Sequence, residues 1–175
     1  MNKFPTSDFC LLISAGALLL LLATGCASYR MGSGNEPVVD SLYIAPVVND
    51  SEAPQAVVPF TMALKEGFIE DGQIEIVLSE SEADGILEVT LYDYDRFVGA
   101  TQEFDTRLGE TFQTVLRGKA TLRERNGTII FKDRRFTVDA SIIAGEDLVQ
   151  AEYQNMPAIT RDLAEKIRDA VLGSW

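Results

Sequence analysis

Three sets of residues in this chain have side chains capable of chemistry or strong recognition. Asp93 and Asp95 are carboxylates two residues apart, the kind of pair that acid/base glycoside hydrolysis uses. Arg117, Lys119, Arg123, Arg125, Lys132 and Arg134 alternate through a short span and can bind an anion, arginine by forked hydrogen bonds and lysine as a point charge. Cys26 follows small residues in Leu22-Ala23-Thr24-Gly25-Cys26, where its thiol can take a thioether-linked lipid. What is missing matters as much. The sequence has no histidine, so it lacks the commonest general base and the commonest metal ligand. Ser-His-Asp hydrolysis and histidine-based zinc chemistry are excluded. There is also no GxSxG, P-loop or GxGxxG motif.

The stretch before Cys26 has the three parts of an export signal. Lys3 supplies positive charge, Phe9 to Ala23 is an apolar run, and Thr24 and Gly25 are small residues at a cleavage site. The apolar run is shorter than the roughly 20 residues of a membrane-spanning helix. With the cysteine in place the segment resembles a lipobox. Residues 1–25 are therefore expected to be a lipoprotein signal peptide, Cys26 the acylated first residue, and 26–40 a tether rich in Gly and Ser. Two or three acyl chains anchor firmly, each buried methylene contributing about 0.8 kcal/mol. Cys10 leaves with the signal. The remaining residues, 41–175, are expected to form one domain without disulfide, thiolate or cofactor.

The formal charge of −12 argues against nucleic-acid binding, but it is unevenly distributed. Residues 36–110 hold three basic against seventeen acidic side chains, and residues 111–135 hold seven basic against two acidic. That inversion falls on one predicted hairpin.

The elements that would position these residues are legible from periodicity. A strand is predicted from Ser41 to Val48. A helix follows, with Val57, Phe60, Leu64 and Phe68 on one stripe, Pro59 in its first turn and Asp71-Gly72 at its end. Ile74 to Leu78 reads as a short strand. In a longer strand Leu87, Val89 and Leu91 alternate with Glu88, Thr90 and Tyr92. Asp93 and Asp95 close it, where solvated carboxylates are commonplace and outweigh a catalytic reading. Residues 99–109 read as a polar loop.

Asn126-Gly127 predicts a two-residue type I′ turn that pairs Arg125 with Thr128. In that register Phe112, Leu116, Ala120, Leu122, Ile129 and Phe131 share one face, and the six cations share the other. Asp139 to Gln154 is expected to be loop with a short helical piece. A closing helix is expected to be capped by Asn155, with Pro157 in its first turn, Ile159, Leu163, Ile167 and Ala170 or Val171 as its stripe, and Gly173 as its stop.

Two single-stripe helices and one alternating sheet bury each other if both helices lie on the same side. The expected fold is an α/β (α+β) two-layer sandwich, with two helices packed on one face of a four- to five-stranded mixed sheet. The other face would carry the basic hairpin.

The order of these pieces resembles the LptE family of lipopolysaccharide-assembly lipoproteins. The likeness rests on the lipobox followed by Tyr29-Arg30, the strand Leu42-Tyr43-Ile44-Ala45-Pro46-Val47 running into Asn49, and the helix ending near Gly67-Phe68. It continues through Ala83-Asp84-Gly85-Ile86-Leu87-Glu88-Val89, the basic hairpin, and a last helix with Leu163-Ala164, Ile167 and Val171. The resemblance implies a non-enzymatic outer-membrane protein that plugs the LptD-type β-barrel, helps it assemble, and supports lipopolysaccharide transport. It also implies glycolipid binding, for which the six cations are the candidates. The span Leu42 to Leu78 also resembles periplasmic domains of the CsgG and TolB amino-terminal type, which implies an alternative role as a secretion-ring subunit or an activator of peptidoglycan synthases.

Overall fold

The computed structural model describes residues 38–98, 110–144 and 147–173. Their elements are β1 (Ser41–Ile44), β2 (Val48–Asn49), a 3₁₀ turn (Pro54–Ala56), α1 (Val57–Asp71), β3 (Glu75–Val77), β4 (Gly85–Val98), β5 (Glu110–Glu124), β6 (Ile129–Ala144) and α2 (Leu148–Leu172). The main sheet order is β3-β1-β4-β5-β6, with β2 attached to β4. β1 lies parallel to β3 and β4, and β4, β5 and β6 form an antiparallel meander. Parallel strands need a crossover connection, and α1 supplies the one between β1 and β3. The sheet is mixed, as expected, with six strands where four to five were expected.

Both helices pack on one face. Phe60, Leu64 and Phe68 of α1 and Leu163 and Ile167 of α2 have no accessible surface, nor do Leu42, Leu87, Leu91, Leu116 and Leu122 beneath them. These residues belong to one continuous core. Gly118 lets α2 come close: a Cβ there would sit 3.3 Å from Leu163 Cδ2.

Three local expectations are corrected. The hairpin turn is not type I′, because Asn126 does not take the positive φ that such a turn requires at both central residues. Gly127 alone does, at 92°. Its N–H bonds the Glu124 carbonyl at 2.9 Å, and the Glu124 N–H bonds the Thr128 carbonyl at 2.8 Å. The loop therefore holds three residues and closes on Glu124–Thr128, a type I turn followed by a left-handed glycine. Asn126 contributes its side chain instead, Oδ1 accepting from the Thr128 N–H at 2.7 Å.

The register consequently shifts. Two irregularities follow, between Arg123 and Leu122 and between Leu122 and Ala120, and Asp133 takes φ 49° within them. Ile129 lies opposite Arg123, away from the helices, and is 54% exposed instead of joining the core. Arg134 lies opposite Ala120, on the helix side, and Arg135 takes the outer position opposite Lys119.

The last correction concerns α2. β6 runs to Ala144 and the helix starts at Leu148, so most of 139–154 is regular structure. Asp147 is the cap, its carboxylate accepting from the Gln150 N–H at 3.1 Å. Asn155 and Pro157 are inside the helix, where Asn155 donates to the Ala151 carbonyl at 2.7 Å. An internal proline costs about 3 kcal/mol, and the turns before it are retained because they bury Glu152 and Met156.

Candidate functional site

The face of the sheet turned away from the helices holds most of the candidate residues. On β4 a register shift between Leu91 and Asp93 switches the alternation, so Tyr94 joins the core side while Asp93 and Asp95 both face outward. Arg117 stands opposite Asp93 on β5 and bonds both carboxylates, Asp95 at 2.6 Å. Those two bonds, Asp95's first, raise the Arg117 pKa further above its ordinary value. The carboxylate pair is committed to a guanidinium.

The same pattern continues along the strand. Arg123 reaches Glu80 at 2.7 Å and Glu88 at 3.4 Å, which likewise raise its pKa, Glu80 foremost. Arg125 reaches Asp84 at 3.4 Å and donates to the Ser81 carbonyl at 3.1 Å. The opposed charges of the two sequence segments thus have a structural meaning. Acidic β4, with the turn before it, lies beside basic β5, and three of the six predicted cations are neutralised by the ladder between them. Opposite charges across neighbouring strands favour this pairing of β4 with β5.

The other three behave differently. Lys119 is 4.0 Å from Asp133, at the outer limit of an ion pair, and lies directly opposite Arg135. No carboxylate among the described residues pairs with Arg135 or Lys132. Like charges directly opposite on a sheet are destabilising, so Lys119 and Arg135 form a place where an anion is favoured. Arg134, on the helix side, lies 5.8 Å from the ring centres of both Phe131 and Phe136. It borders a cleft of about 480 Å³ whose other walls include Arg135 and Lys166. Sequence reasoning missed Arg135 because the two-residue turn put its side chain on the wrong face.

A second polar group was also missed. Arg96 on β4 pairs with Glu152 on α2 at 3.0 Å, and Glu152 is only 6% exposed. With Glu52, Gln55, Tyr94 and Asp95 they border a cleft of about 290 Å³. Among the described residues the buried Tyr94 hydroxyl has no partner within hydrogen-bond geometry, and burial, followed by the nearby Glu152 carboxylate, raises its pKa above the ordinary value. The β4 register shift that brings Tyr94 and Arg96 to the core side has no signature in the sequence.

Among the described residues no group of side chains could hold a metal ion, and no helix is long and apolar enough to cross a membrane. Cys26, the expected lipidation site, lies outside the described residues, as do the expected signal peptide and the 99–109 loop.

Comparison with solved structures finds the same fold in several lipoproteins. A minor lipoprotein from Acinetobacter baumannii superposes with a TM-score of 0.52 at 14% identity, covering 79% of this chain and 94% of that one. An uncharacterised lipoprotein B from Nitrosomonas europaea gives 0.51 at 12%, covering 81% and 86%. A protein from Xanthomonas campestris gives 0.54 at 13%, covering 81% and 90%. Identities this low speak for the fold alone. No curated protein sequence matches significantly. The family model described as LptE, lipopolysaccharide-assembly, matches residues 39–171, which span β1 through nearly all of α2. The chain belongs to the LptE lipopolysaccharide-assembly family.

Proposed function

We propose that this lipoprotein is held at the outer membrane by acyl chains on Cys26, occupies an LptD-type β-barrel as its plug, and supports lipopolysaccharide transport to the outer leaflet. Family membership over residues 39–171 is the observation that carries the reading. The role is that of a binding and assembly partner and needs no catalytic residue of its own. The lipobox residues Leu22 to Cys26 support the anchor.

Within this role Lys119 and Arg135 are the contacts for lipid A phosphates, supported by their direct opposition across β5 and β6, which only the 4.0 Å contact of Lys119 with Asp133 offsets among the described residues. Lys132, exposed in the irregular stretch beside them, adds a third cation, and Arg134 a fourth around the strand edge. Arg117, Arg123 and Arg125 hold the charge ladder and are withdrawn from the phosphate set, because their guanidinium groups already face carboxylates. The acidic total does not forbid a local cation pair, since screening over about 8 Å at physiological salt limits long-range repulsion.

The test is affinity capture of the full-length lipidated protein from detergent-solubilised outer membranes, with partners identified by mass. One large β-barrel in equal amount is the expected result. A secretion ring or a cell-wall synthase in its place would overturn the plug. Cys26→Ser should abolish lipidation, and normal outer-membrane fractionation of that variant would overturn the anchor.

A further inference from the structure

The long edge of the sheet belongs to β6, and among the described residues no strand lies beyond it. The opposite edge, β3, is only three residues long. A long free edge is a template for another strand, and proteins blunt such edges with bulges, charges or covering side chains. Here the two halves of β6 are treated differently. The half near the turn carries two register irregularities, the positive φ of Asp133 and the cations Lys132, Arg134 and Arg135. From Arg134 to Ala144 the pairing with β5 is regular.

The direction of the backbone groups follows from two bonds. The Ala140 carbonyl accepts from Thr114 Oγ1 at 3.2 Å, so residue 140 turns toward β5, where Thr114 is its direct partner. The Thr137 carbonyl accepts from Lys166 Nζ at 2.7 Å, so residue 137 turns away from β5. In a regular antiparallel strand these directions alternate. Residues 135, 137, 139, 141 and 143 therefore present their N–H and C=O groups to the open side.

Pairing of this edge with a second copy must match outward residues with outward residues, so its axis falls on a residue position, either an outward one (135, 137 or 139) or one between them (136 or 138). An axis at Arg135 sets that arginine against itself, and an axis at Asp139 sets that aspartate against itself. An axis at Thr137 instead sets Arg135 against Asp139 of the second copy, twice by symmetry. Phe136 then meets Val138 on the helix side and the two threonines meet at the centre. An axis at Phe136 sets Arg135 against Thr137, and one at Val138 sets Thr137 against Asp139 and Arg135 against Ser141. Opposite charges directly across a pair are favourable and like charges are not, and of these five registers the one about Thr137 alone sets opposite charges against each other. Arg135, Thr137 and Asp139 are all exposed.

We propose that, when no other partner holds it, the chain dimerises by antiparallel pairing of β6 with β6 about Thr137, joining two sheets into one. Lys166 guards this edge in the single chain by occupying the Thr137 carbonyl. Pairing displaces its ammonium group into solvent. The surface is distinct from the charge ladder on β4 and β5, and the inference does not depend on the identity of a barrel partner.

The experiment is sedimentation of the full-length protein in detergent, with micelles in excess over protein so that shared micelles do not mimic association. The wild type is expected to sediment as two copies. Arg135→Asp and Asp139→Arg should each weaken association about tenfold or more, because each sets like charges across the axis twice. Combining them restores opposite pairs and should recover wild-type association. Circular dichroism of each variant reports whether it is folded, and the rescue by the combined variant separates register from loss of structure. Lys166→Met should tighten association by freeing the Thr137 carbonyl. A wild type that remains monomeric up to about 100 µM, where the free energy of pairing would be weaker than about −5.5 kcal/mol, would overturn the proposal. So would a combined variant that associates no better than either single one.

Discussion

Arg96 and Glu152 tie the far end of β4 to the first turns of α2 through one 3.0 Å ion pair, and they differ sharply in exposure: the arginine side chain is 48% exposed and the glutamate 7%. That asymmetry fixes which substitution is costly. Arg96→Met leaves a carboxylate buried without its cation, which is worth up to 3–5 kcal/mol for a fully buried pair and about 1–3 kcal/mol here, because solvent reaches the arginine. Replacing both residues by Met removes the buried charge with its partner and should recover most of that loss. Urea unfolding of the two single variants and the double variant measures the coupling, and additive losses would show that the pair does not act as a unit.

Tyr94 gives the fold an alkaline limit. Its hydroxyl is buried, and both burial and the Glu152 carboxylate disfavour the phenolate, so its folded pKa lies above the unfolded value of 10.0. A raised pKa means that the folded state holds its proton more tightly. This contribution is complete below about pH 10 and is lost as pH rises toward the folded pKa. Tyr94→Phe should remove the dependence. At neutral pH it should be neutral or up to about 1 kcal/mol stabilising, since the lost hydroxyl has no partner within hydrogen-bond geometry among the described residues. Thermal unfolding of wild type and variant between pH 8 and about pH 11 checks both, with the other tyrosines common to the two proteins.

The helix stripes and the alternating strand could be read in the sequence because each depends on local period alone. Phe60, Leu64 and Phe68 and Ile159, Leu163 and Ile167 are buried as their spacing requires. What could not be read depended on one extra residue. Tyr92 beside the β4 shift and Ile130 and Asp133 in β6 each move the following side chains to the other face, and nothing local marks such insertions. Pro157 misled for a different reason: as a helix breaker it marks a start, yet the burial of Met156 and Glu152 retains the turns before it. The basic face was legible as charge but not as chemistry. Neutralisation of Arg117 and Arg123 requires knowing that β4 is their neighbour.

The turn at Asn126-Gly127 offers a direct check on that register. In a type I′ turn both residues need positive φ, and Asn126→Ala would be strained. In the observed loop only Gly127 needs it, at 92°. Gly127→Ala should therefore cost about 1–2 kcal/mol, the usual penalty for a side chain in the left-handed region. Asn126→Ala meets no such strain there and loses only the exposed acceptor for the Thr128 N–H, so it should cost about 0.5 kcal/mol. Equal losses at both positions in chemical denaturation would argue for the two-residue turn.

Binding of anionic glycolipid should divide the basic residues into two groups. Lys119 and Arg135 oppose each other, and among the described residues only the 4.0 Å contact from Lys119 to Asp133 brings a carboxylate to either. An anion placed there relieves their repulsion and gains charge-assisted hydrogen bonds. Lys119→Gln combined with Arg135→Gln should weaken lipopolysaccharide binding about tenfold or more, which corresponds to roughly 1.4 kcal/mol. It should not lower stability, because it removes a like-charge pair. Arg117→Gln should do the reverse. It leaves Asp93 and Asp95 facing each other without their cation, so stability falls, less so at high salt, while binding is little changed. Titration of each variant with lipopolysaccharide, paired with its unfolding curve at low and high salt, reads the two effects separately. If Arg117 governed binding and Lys119 and Arg135 did not, the ladder would be the recognition surface and the cation pair at the β6 edge would not.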